Sequence, residues 1–167
     1  MNIKRILVPV DYSECSRAAL EFASNLAELF GASLDIVHVW DKPTYVSDAI
    51  LVRQPGDKPR SLIELVKENA KHDMDEFLVS IVLPQPTMAT RRLISGDPAS
   101  SLLEELKKGE HDLVVLGTHG RTGLSHFMIG SVAEKLVRLS PVPVLTVPPP
   151  ASKQVATFPQ PETALNA

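Results

Sequence analysis

The sequence predicts one α/β domain in which helices cover both faces of an open, parallel, five-stranded sheet. Short apolar runs rich in Val, Ile and Leu recur along the chain, and each run except the last leads into a segment with helical spacing. Most of the connections are short, and alternation of this kind is typical of βαβ units with right-handed crossovers. With 167 residues, the chain is long enough to bury a core of its own as one domain.

The first strand is predicted in "IKRILVPV", a nearly continuous apolar run that suits a strand covered on both faces. Ser13 is placed to cap the helix that follows, and Gly31 suits the position just after its last turn. The second strand is "SLDIVHVW". The apolar stripe predicted to face the core from this helix consists of Ala19, Phe22, Ala23, Leu26, Leu29 and Phe30.

Residues 41–60 break the pattern with three prolines and a glycine. We expect a long surface loop, which is unusual inside a compact domain and often functional. A helix follows, because Ser61 and Glu64 have the spacing of a capping box. Its predicted core stripe consists of Leu62, Val66, Ala70, Met74 and Phe77.

The third strand, "TMATRRLISG", is less apolar and is expected near an edge of the sheet. Asp97 and Pro98 suit the cap and the first position of a short helix that Gly109 ends. "DLVVLG" is the fourth strand and has the most apolar sequence of the five.

The chain then forms a helix in "GSVAEKLVRLS" and a last strand in "VPVLTV". Pro141 and Pro143 beside or inside that strand favour the margin of the sheet or a bulge. Residues 149–167 are rich in proline and carry no periodic apolar pattern, so we expect a disordered tail behind a domain of residues 1–148.

Composition argues against several classes of function. The net charge of −3 offers no broad basic field for nucleic acid or an anionic membrane. No run approaches the roughly 18 apolar residues of a membrane span, and the N-terminus has no signal-peptide pattern. Cys15 is the one cysteine, which excludes an intrachain disulfide and a cysteine-based metal cluster. We expect a cytoplasmic protein that binds neither nucleic acid nor membrane.

Ligands of open parallel sheets bind beyond the carboxyl ends of the strands, where the strand order reverses. Asp11 ends the first strand, and the glycine-rich segment "GTHGRTGLSHFMIGS" (117–131) follows the fourth. This segment leads into a helix start, where free amides and the helix dipole bind anions. Glycine leaves phosphate oxygens access to those amides, and Ser131 adds a hydroxyl donor.

Other nucleotide and catalytic motifs do not fit. No lysine precedes Ser131 as a Walker loop requires, and "VPVDYSECS" in the first βα turn is not a dinucleotide fingerprint. That turn also lacks the HIGH-like or SGGxDS motif of nucleotidyl-transferring enzymes, and no G-x-S-x-G elbow occurs. His111, His119 and His126 lie on different elements with no accompanying carboxylate, so we predict no metal site.

Together, these landmarks resemble the ATP-binding members of the universal stress protein family. Gly117-x2-Gly120-x9-Gly130-Ser131 matches the family's nucleotide signature G-2x-G-9x-G-[ST]. The opening "ILVPVDYSE" and the closing "SPVPVLTV" match as well, so the resemblance covers residues 3–147.

The resemblance implies the strand order 3-2-1-4-5, which would bring Asp11 to face the Gly117 loop across one crevice. In ATP-binding members, the backbone at the positions matching Val10 and Val39 holds adenine, and the aspartate matching Asp11 binds the ribose hydroxyls. The glycine loop and the following helix start surround the phosphates. The candidate nucleotide-binding residues are Pro9, Val10, Asp11, Val39, Gly117, Gly120, Arg121, Gly130, Ser131 and Val132.

The function implied is that of a stress-response regulatory protein that binds ATP or AMP, with Mg²⁺ or Mn²⁺ carried by the nucleotide. We expect at most slow ATP hydrolysis and assign no catalytic residue, because neither a positioned nucleophile nor fixed positive charge is specified. The alternative is a dimeric interaction module with a vestigial nucleotide site. Under either hypothesis, the family's common arrangement is a homodimer paired through the last strand.

Overall fold

The computed structural model describes residues 2–40, 50–53, 59–81, 88–120 and 129–150. The five strands and four helices that the sequence predicts follow one another in the predicted order, with two additional short strands between the second predicted strand and the second helix. The strands are β1 (Arg5–Pro9), β2 (Ser33–Trp40), β3 (Leu51–Val52), β4 (Arg60–Ser61), β5 (Ala89–Ser95), β6 (Leu113–Gly117) and β7 (Val144–Val147). The helices are α1 (Glu14–Phe30), α2 (Leu62–Val79), α3 (Pro98–Lys107) and α4 (Ser131–Leu139).

Five strands form one parallel sheet in the order β5-β2-β1-β6-β7. Counted along this sheet alone, the order is 3-2-1-4-5, so the predicted fold and topology are confirmed. The less apolar β5 and the proline-flanked β7 lie at the two edges, and β6 lies inside. The order reverses between β1 and β6, which places the ends of these two strands side by side.

The sheet separates two apolar layers. Alternate residues of β1 point to opposite faces, so Ile6 and Val8 pack in the layer of α1 and α2, and Leu7 packs with α3 and α4. Every helix among the described residues is too short or too polar to span a bilayer.

The ends of α1 and the start of α3 follow the predicted capping. The Ser13 hydroxyl accepts a hydrogen bond of 3.2 Å from the Ser16 N–H, and Gly31 closes α1 with φ +64°. Asp97 accepts one of 2.9 Å from the Ser100 N–H at the start of α3. These caps determine where the chain leaves each strand and enters the next helix.

The predicted core stripe of α1 is partly wrong. Ala19 and Ala23 are fully buried, but Phe22, Leu29 and Phe30 are 43%, 75% and 46% exposed. The face that packs on the sheet consists mainly of small side chains, which allow the helix to lie close to the strands. Among the large side chains, Leu20 is fully buried, whereas Phe22, Leu29 and Phe30 lie beside this face and are partly or largely exposed.

The predicted loop of residues 41–60 contains a short hairpin. Leu51 and Val52 pair antiparallel with Ser61 and Arg60, whereas residues 41–49 and 54–58 lie outside the described residues. The capping-box prediction is also wrong, because the Ser61 side chain makes no cap hydrogen bond. The hairpin supplies an acceptor instead: the Leu62 N–H donates to the Ile50 carbonyl at 3.0 Å.

Only the first residues of the predicted tail are among the described residues. Residues 148–150 form neither helix nor strand, and residues 151–167 lie outside the described residues. The domain boundary after residue 148 and the disorder of the tail therefore stay predictions.

Candidate functional site

A cavity of about 300 Å³ opens at the carboxyl ends of β1 and β6, where the strand order reverses. It lies where open parallel sheets bind ligands. All the predicted nucleotide-binding residues line it except Arg121, which lies outside the described residues. The residues from the β1 end are Pro9, Val10 and Asp11, β2 contributes Val39, and the β6 loop and α4 contribute Gly117, Gly120, Gly130, Ser131 and Val132.

Asp11 lies directly opposite the glycine loop. One carboxylate oxygen, Oδ1, accepts hydrogen bonds from the Ser13 N–H at 3.1 Å and the Ser13 hydroxyl at 2.6 Å. The other oxygen, Oδ2, approaches Gly120 so closely that a Cβ added there would lie 2.7 Å from it. Glycine at this position therefore lets the carboxylate reach the opposite wall of the cavity.

The remaining two signature glycines have different surroundings. A Cβ at Gly117 would lie 2.7 Å from the Cβ of Cys15, so this glycine allows the end of β6 to pack against the first turn of α1. A Cβ at Gly130 would meet its nearest neighbour, the Thr118 carbonyl oxygen, at 3.4 Å, an ordinary contact. Close packing therefore accounts for glycine at 117, whereas a side chain at 130 would meet only ordinary contacts.

The start of α4 borders the cavity, and no side chain among the described residues caps it. Its N-cap is Gly130, which has no side chain to accept a hydrogen bond, and the N–H groups of the first turn have no acceptors within the helix. Ser131, Val132 and Ala133 of this turn line the cavity. By contrast, the starts of α1 and α3 are capped by Ser13 and Asp97. A first helical turn without a side-chain cap favours a bound anion.

Hydrogen bonds hold the two ends of the glycine loop together. The Gly130 N–H donates to the Thr118 carbonyl at 2.8 Å, so the start of α4 stays beside the end of β6. Thr118 Oγ1 also lies 2.8 Å from His119 Nδ1. The other ring nitrogen of His119 is buried and has no hydrogen-bond partner among the described residues.

Sequence reasoning missed several lining residues. The apolar wall includes Leu116 of β6 and, from α3, Pro98 and Leu102. The sequence did contain a signal for the residues from α3. The predicted cap at Asp97 places the start of α3 at the carboxyl end of β5, next to β2. Hydrogen bonds from the Ser100 side chain and N–H also lower the pKa of Asp97. The charged Asp97 side chain itself therefore occupies the anion-binding position at the start of α3.

Two histidines, His111 and His38, have the surroundings of structural residues. The prediction that no carboxylate accompanies His111 is wrong, since its Nε2 lies 2.9 Å from Asp35 Oδ2, near the amino ends of the strands. His38 is a core residue whose Nδ1–H donates to the Val10 carbonyl at 2.8 Å. Within the described ranges, no three His, Cys, Asp or Glu side chains are grouped to hold a metal; His126 lies outside them.

Comparison with known proteins identifies one family. The model of the universal stress protein family matches residues 2–148. A universal stress protein of Methanocaldococcus jannaschii is 31% identical over 150 residues, which cover 88% of this chain and 83% of that protein. The universal stress protein YxiE of Bacillus subtilis is 31% identical over 152 residues, covering 86% of this chain and 97% of that protein.

Solved structures share the fold. UspA from Lactobacillus plantarum superposes with a TM-score of 0.68 at 26% identity, covering 88% of this chain and 99% of that one. A universal stress protein from Archaeoglobus fulgidus in complex with dAMP gives a TM-score of 0.61 at 21% identity, covering 88% and 99%. One in complex with cAMP gives 0.55 at 21% identity, covering 88% and 98%.

Proposed function

The chain belongs to the universal stress protein family, and we propose that it is a stress-response regulatory protein that binds an adenine nucleotide. The observation that carries the proposal is the start of α4, which no described side chain caps and which lines the same cavity as Asp11. The complexes of family members with dAMP and cAMP, both adenine nucleotides, support it.

The phosphates are assigned to the start of α4. Its free amides and the positive end of its dipole favour negative charge, and the Ser131 hydroxyl adds a donor. Gly130 contributes no side chain, so the phosphate oxygens can approach the backbone. Arg121 remains a proposed phosphate contact.

The nucleoside is assigned to the β1 and β2 side of the cavity. The Asp11 carboxylate is suited to accept hydrogen bonds from ribose hydroxyls, since Ser13 already orients one of its oxygens. The backbone of Pro9, Val10 and Val39 would hold adenine next to the apolar side chain of Leu116. This division places a polar sugar and an apolar base against matching surfaces.

We propose ATP or AMP as the natural ligand, with Mg²⁺ or Mn²⁺ held by the nucleotide's phosphates. The cytoplasm, where these nucleotides are abundant, is the proposed location. Hydrolysis is expected to be slow at most. Among the described lining residues no lysine or arginine is present to neutralise a leaving phosphate, which efficient phosphoryl transfer requires.

The β7 edge supports a homodimer. β7 pairs with β6 alone in the described sheet, and its four residues are half-buried. Val137 and Leu139 of the neighbouring α4 are 53% and 61% exposed. An apolar edge strand of this kind is suited to pair with its copy in a second subunit. This edge also favours the alternative function, a dimeric interaction module with a vestigial nucleotide site.

Isothermal titration with ATP, AMP and cAMP, each with and without Mg²⁺, tests the nucleotide proposal. The wild type is expected to bind and Gly130→Val to lose binding, because the new side chain would cover the open amides. Glu134→Val places the same residue at an exposed position of α4 and should bind like the wild type. Thermal unfolding checks that both variants are folded.

Two results would count against the proposal. Neither heat nor a thermal shift with millimolar nucleotide would remove nucleotide binding from the function. If sedimentation velocity then showed a dimer that is unaffected by ATP, the interaction module would be the better description.

A further inference from the structure

Tyr12, the residue after Asp11, has a backbone conformation that bulky residues rarely adopt. Its φ is +69°, and it is the one non-glycine residue with positive φ among those described. Such a conformation persists only where the surrounding structure imposes it, and it occurs most often at functional sites. The turn between β1 and α1 is therefore held in place by other elements.

The contacts of Tyr12 identify those elements. Its ring stacks on His38 of β2, with centroids 4.2 Å apart and planes at 25°, and packs against Phe77 of α2. Its hydroxyl donates to the Ala70 carbonyl of α2 at 3.2 Å. His38 in turn donates to the Val10 carbonyl at 2.8 Å. The residues on both sides of Asp11 are thus attached to β2 and α2, elements outside the turn.

Resting on the nucleotide binding proposed above, we propose that Tyr12 is a positioning residue for the ligand's ribose. Its anchored left-handed backbone directs the Asp11 carboxylate toward Gly120, where a Cβ would lie 2.7 Å from Oδ2. Without the anchor, Asp11 would sample other directions and bind the ribose hydroxyls less tightly. Tyr12 itself is not among the residues that line the cavity.

A purely structural role for Tyr12 predicts a different outcome. Tyr12→Gly accepts positive φ without strain but removes the ring and its hydroxyl. If Tyr12 only fills the core, this change lowers stability and leaves affinity unchanged. If it positions Asp11, affinity for ATP falls about tenfold, the size of one hydrogen bond to a charged group.

Titration calorimetry on five folded variants, namely Tyr12→Gly, Tyr12→Phe, Met74→Ala, Asp11→Asn and the double variant of Tyr12→Gly with Asp11→Asn, separates these roles. Tyr12→Phe keeps the ring stack and is expected to stay within about twofold of wild-type affinity, since a neutral hydrogen bond contributes little net free energy. Met74→Ala removes a buried side chain of α2 from the same core layer and should lower stability at unchanged affinity. In an Asp11→Asn background, Tyr12→Gly should have almost no further effect, because non-additivity marks coupled residues.

A second measurement needs no ligand. The Ser13 N–H donates to Asp11 Oδ1 at 3.1 Å, so its hydrogen exchange reports whether the carboxylate keeps its place. We expect faster exchange at Ser13 in Tyr12→Gly and wild-type exchange in Met74→Ala. If wild-type protein fails to bind nucleotide, the proposed function is wrong, and this exchange still decides the role of Tyr12. Unchanged Ser13 exchange in Tyr12→Gly, or equal loss of affinity with and without Asp11, would overturn the inference.

Discussion

The two ends of the sheet handle polar groups in opposite ways. At the carboxyl end, the first turn of α4 lines a cavity and is capped by no side chain among the described residues. Near the amino end, a fully buried carboxylate, Asp35, is surrounded by hydrogen-bond donors: Thr90 at 2.8 Å, Arg92 at 2.6 and 3.1 Å, and His111 at 2.9 Å. Polar groups that are satisfied internally stabilise the fold, whereas unsatisfied ones are available to a ligand.

Asp35 shows how burial and hydrogen bonding compete. Burial alone would raise the pKa of its carboxyl, but hydrogen bonds from His111, Arg92 and Thr90 together hold that pKa well below the ordinary range. The carboxylate raises the pKa of Arg92 in return. Arg92 also bonds to Glu105 of α3 at 3.0 Å, so the cluster joins β2, β5 and α3.

The largest effect is expected from breaking this cluster. Asp35→Ala should lower the free energy of unfolding by about 3–5 kcal/mol, because it removes the fully buried acceptor that Thr90, Arg92 and His111 share. The adjacent pair Arg91–Asp75 is a matched control, since its side chains are 60% and 40% exposed. Asp75→Ala should cost about 0–1 kcal/mol. Urea unfolding measures both, and equal losses would contradict the contrast.

The cluster also predicts how stability depends on pH. The folded-state pKa of Asp35 is depressed, so its contribution is complete above the unfolded pKa of about 3.9 and is lost as pH falls below it. The unfolded chain takes up this proton first, which favours unfolding. Between pH 6 and 3, the free energy of unfolding of the wild type, measured with urea, should fall more steeply than that of Asp35→Asn, by at most about 1.4 kcal/mol per pH unit. Parallel curves would show that Asp35 contributes nothing to acid unfolding.

At the cavity end of the sheet, substitutions at two glycines test whether each position serves packing or a ligand. Gly117→Ala brings a Cβ to 2.7 Å from the Cβ of Cys15, and overpacking of this kind costs about 1–3 kcal/mol. Gly130→Ala meets only an ordinary contact at 3.4 Å and should cost less than about 1 kcal/mol, through its poorer capping. Thermal unfolding distinguishes them. A larger loss at Gly130 would mean that this position serves packing and not a ligand.

The smallest effect on stability is expected at Ser131. Its side chain is exposed at the open helix start, so Ser131→Ala should change the free energy of unfolding by less than about 0.5 kcal/mol. Affinity for ATP should nevertheless fall about threefold, since one donor to the phosphates is lost. Titration calorimetry beside urea unfolding tests the pair of expectations, and the reverse pattern would assign Ser131 to the fold.

Much of the site could be predicted because its signals are local. A glycine spacing, a cap and an aspartate at a strand end can each be recognised within a few residues. The predicted core stripe of α1 was partly wrong, because burial there depends on contacts between elements that are distant in the sequence. Helical spacing identified an apolar stripe that includes Phe22 and Leu29, but the distance between helix and sheet selected the small side chains Ala19 and Ala23 for the interface.

The sequence by itself determined the order of the four helices and the five strands of the parallel sheet, the helix caps at Ser13 and Asp97, and the glycine spacing at the end of β6. Only the tertiary structure decided why Gly117 must be small, what holds Asp35 and how Tyr12 is anchored. The physical reason is distance along the chain. Periodicity and capping depend on neighbours in sequence, whereas burial and hydrogen bonding join residues as far apart as Asp35 and His111, which only the folded sheet brings together.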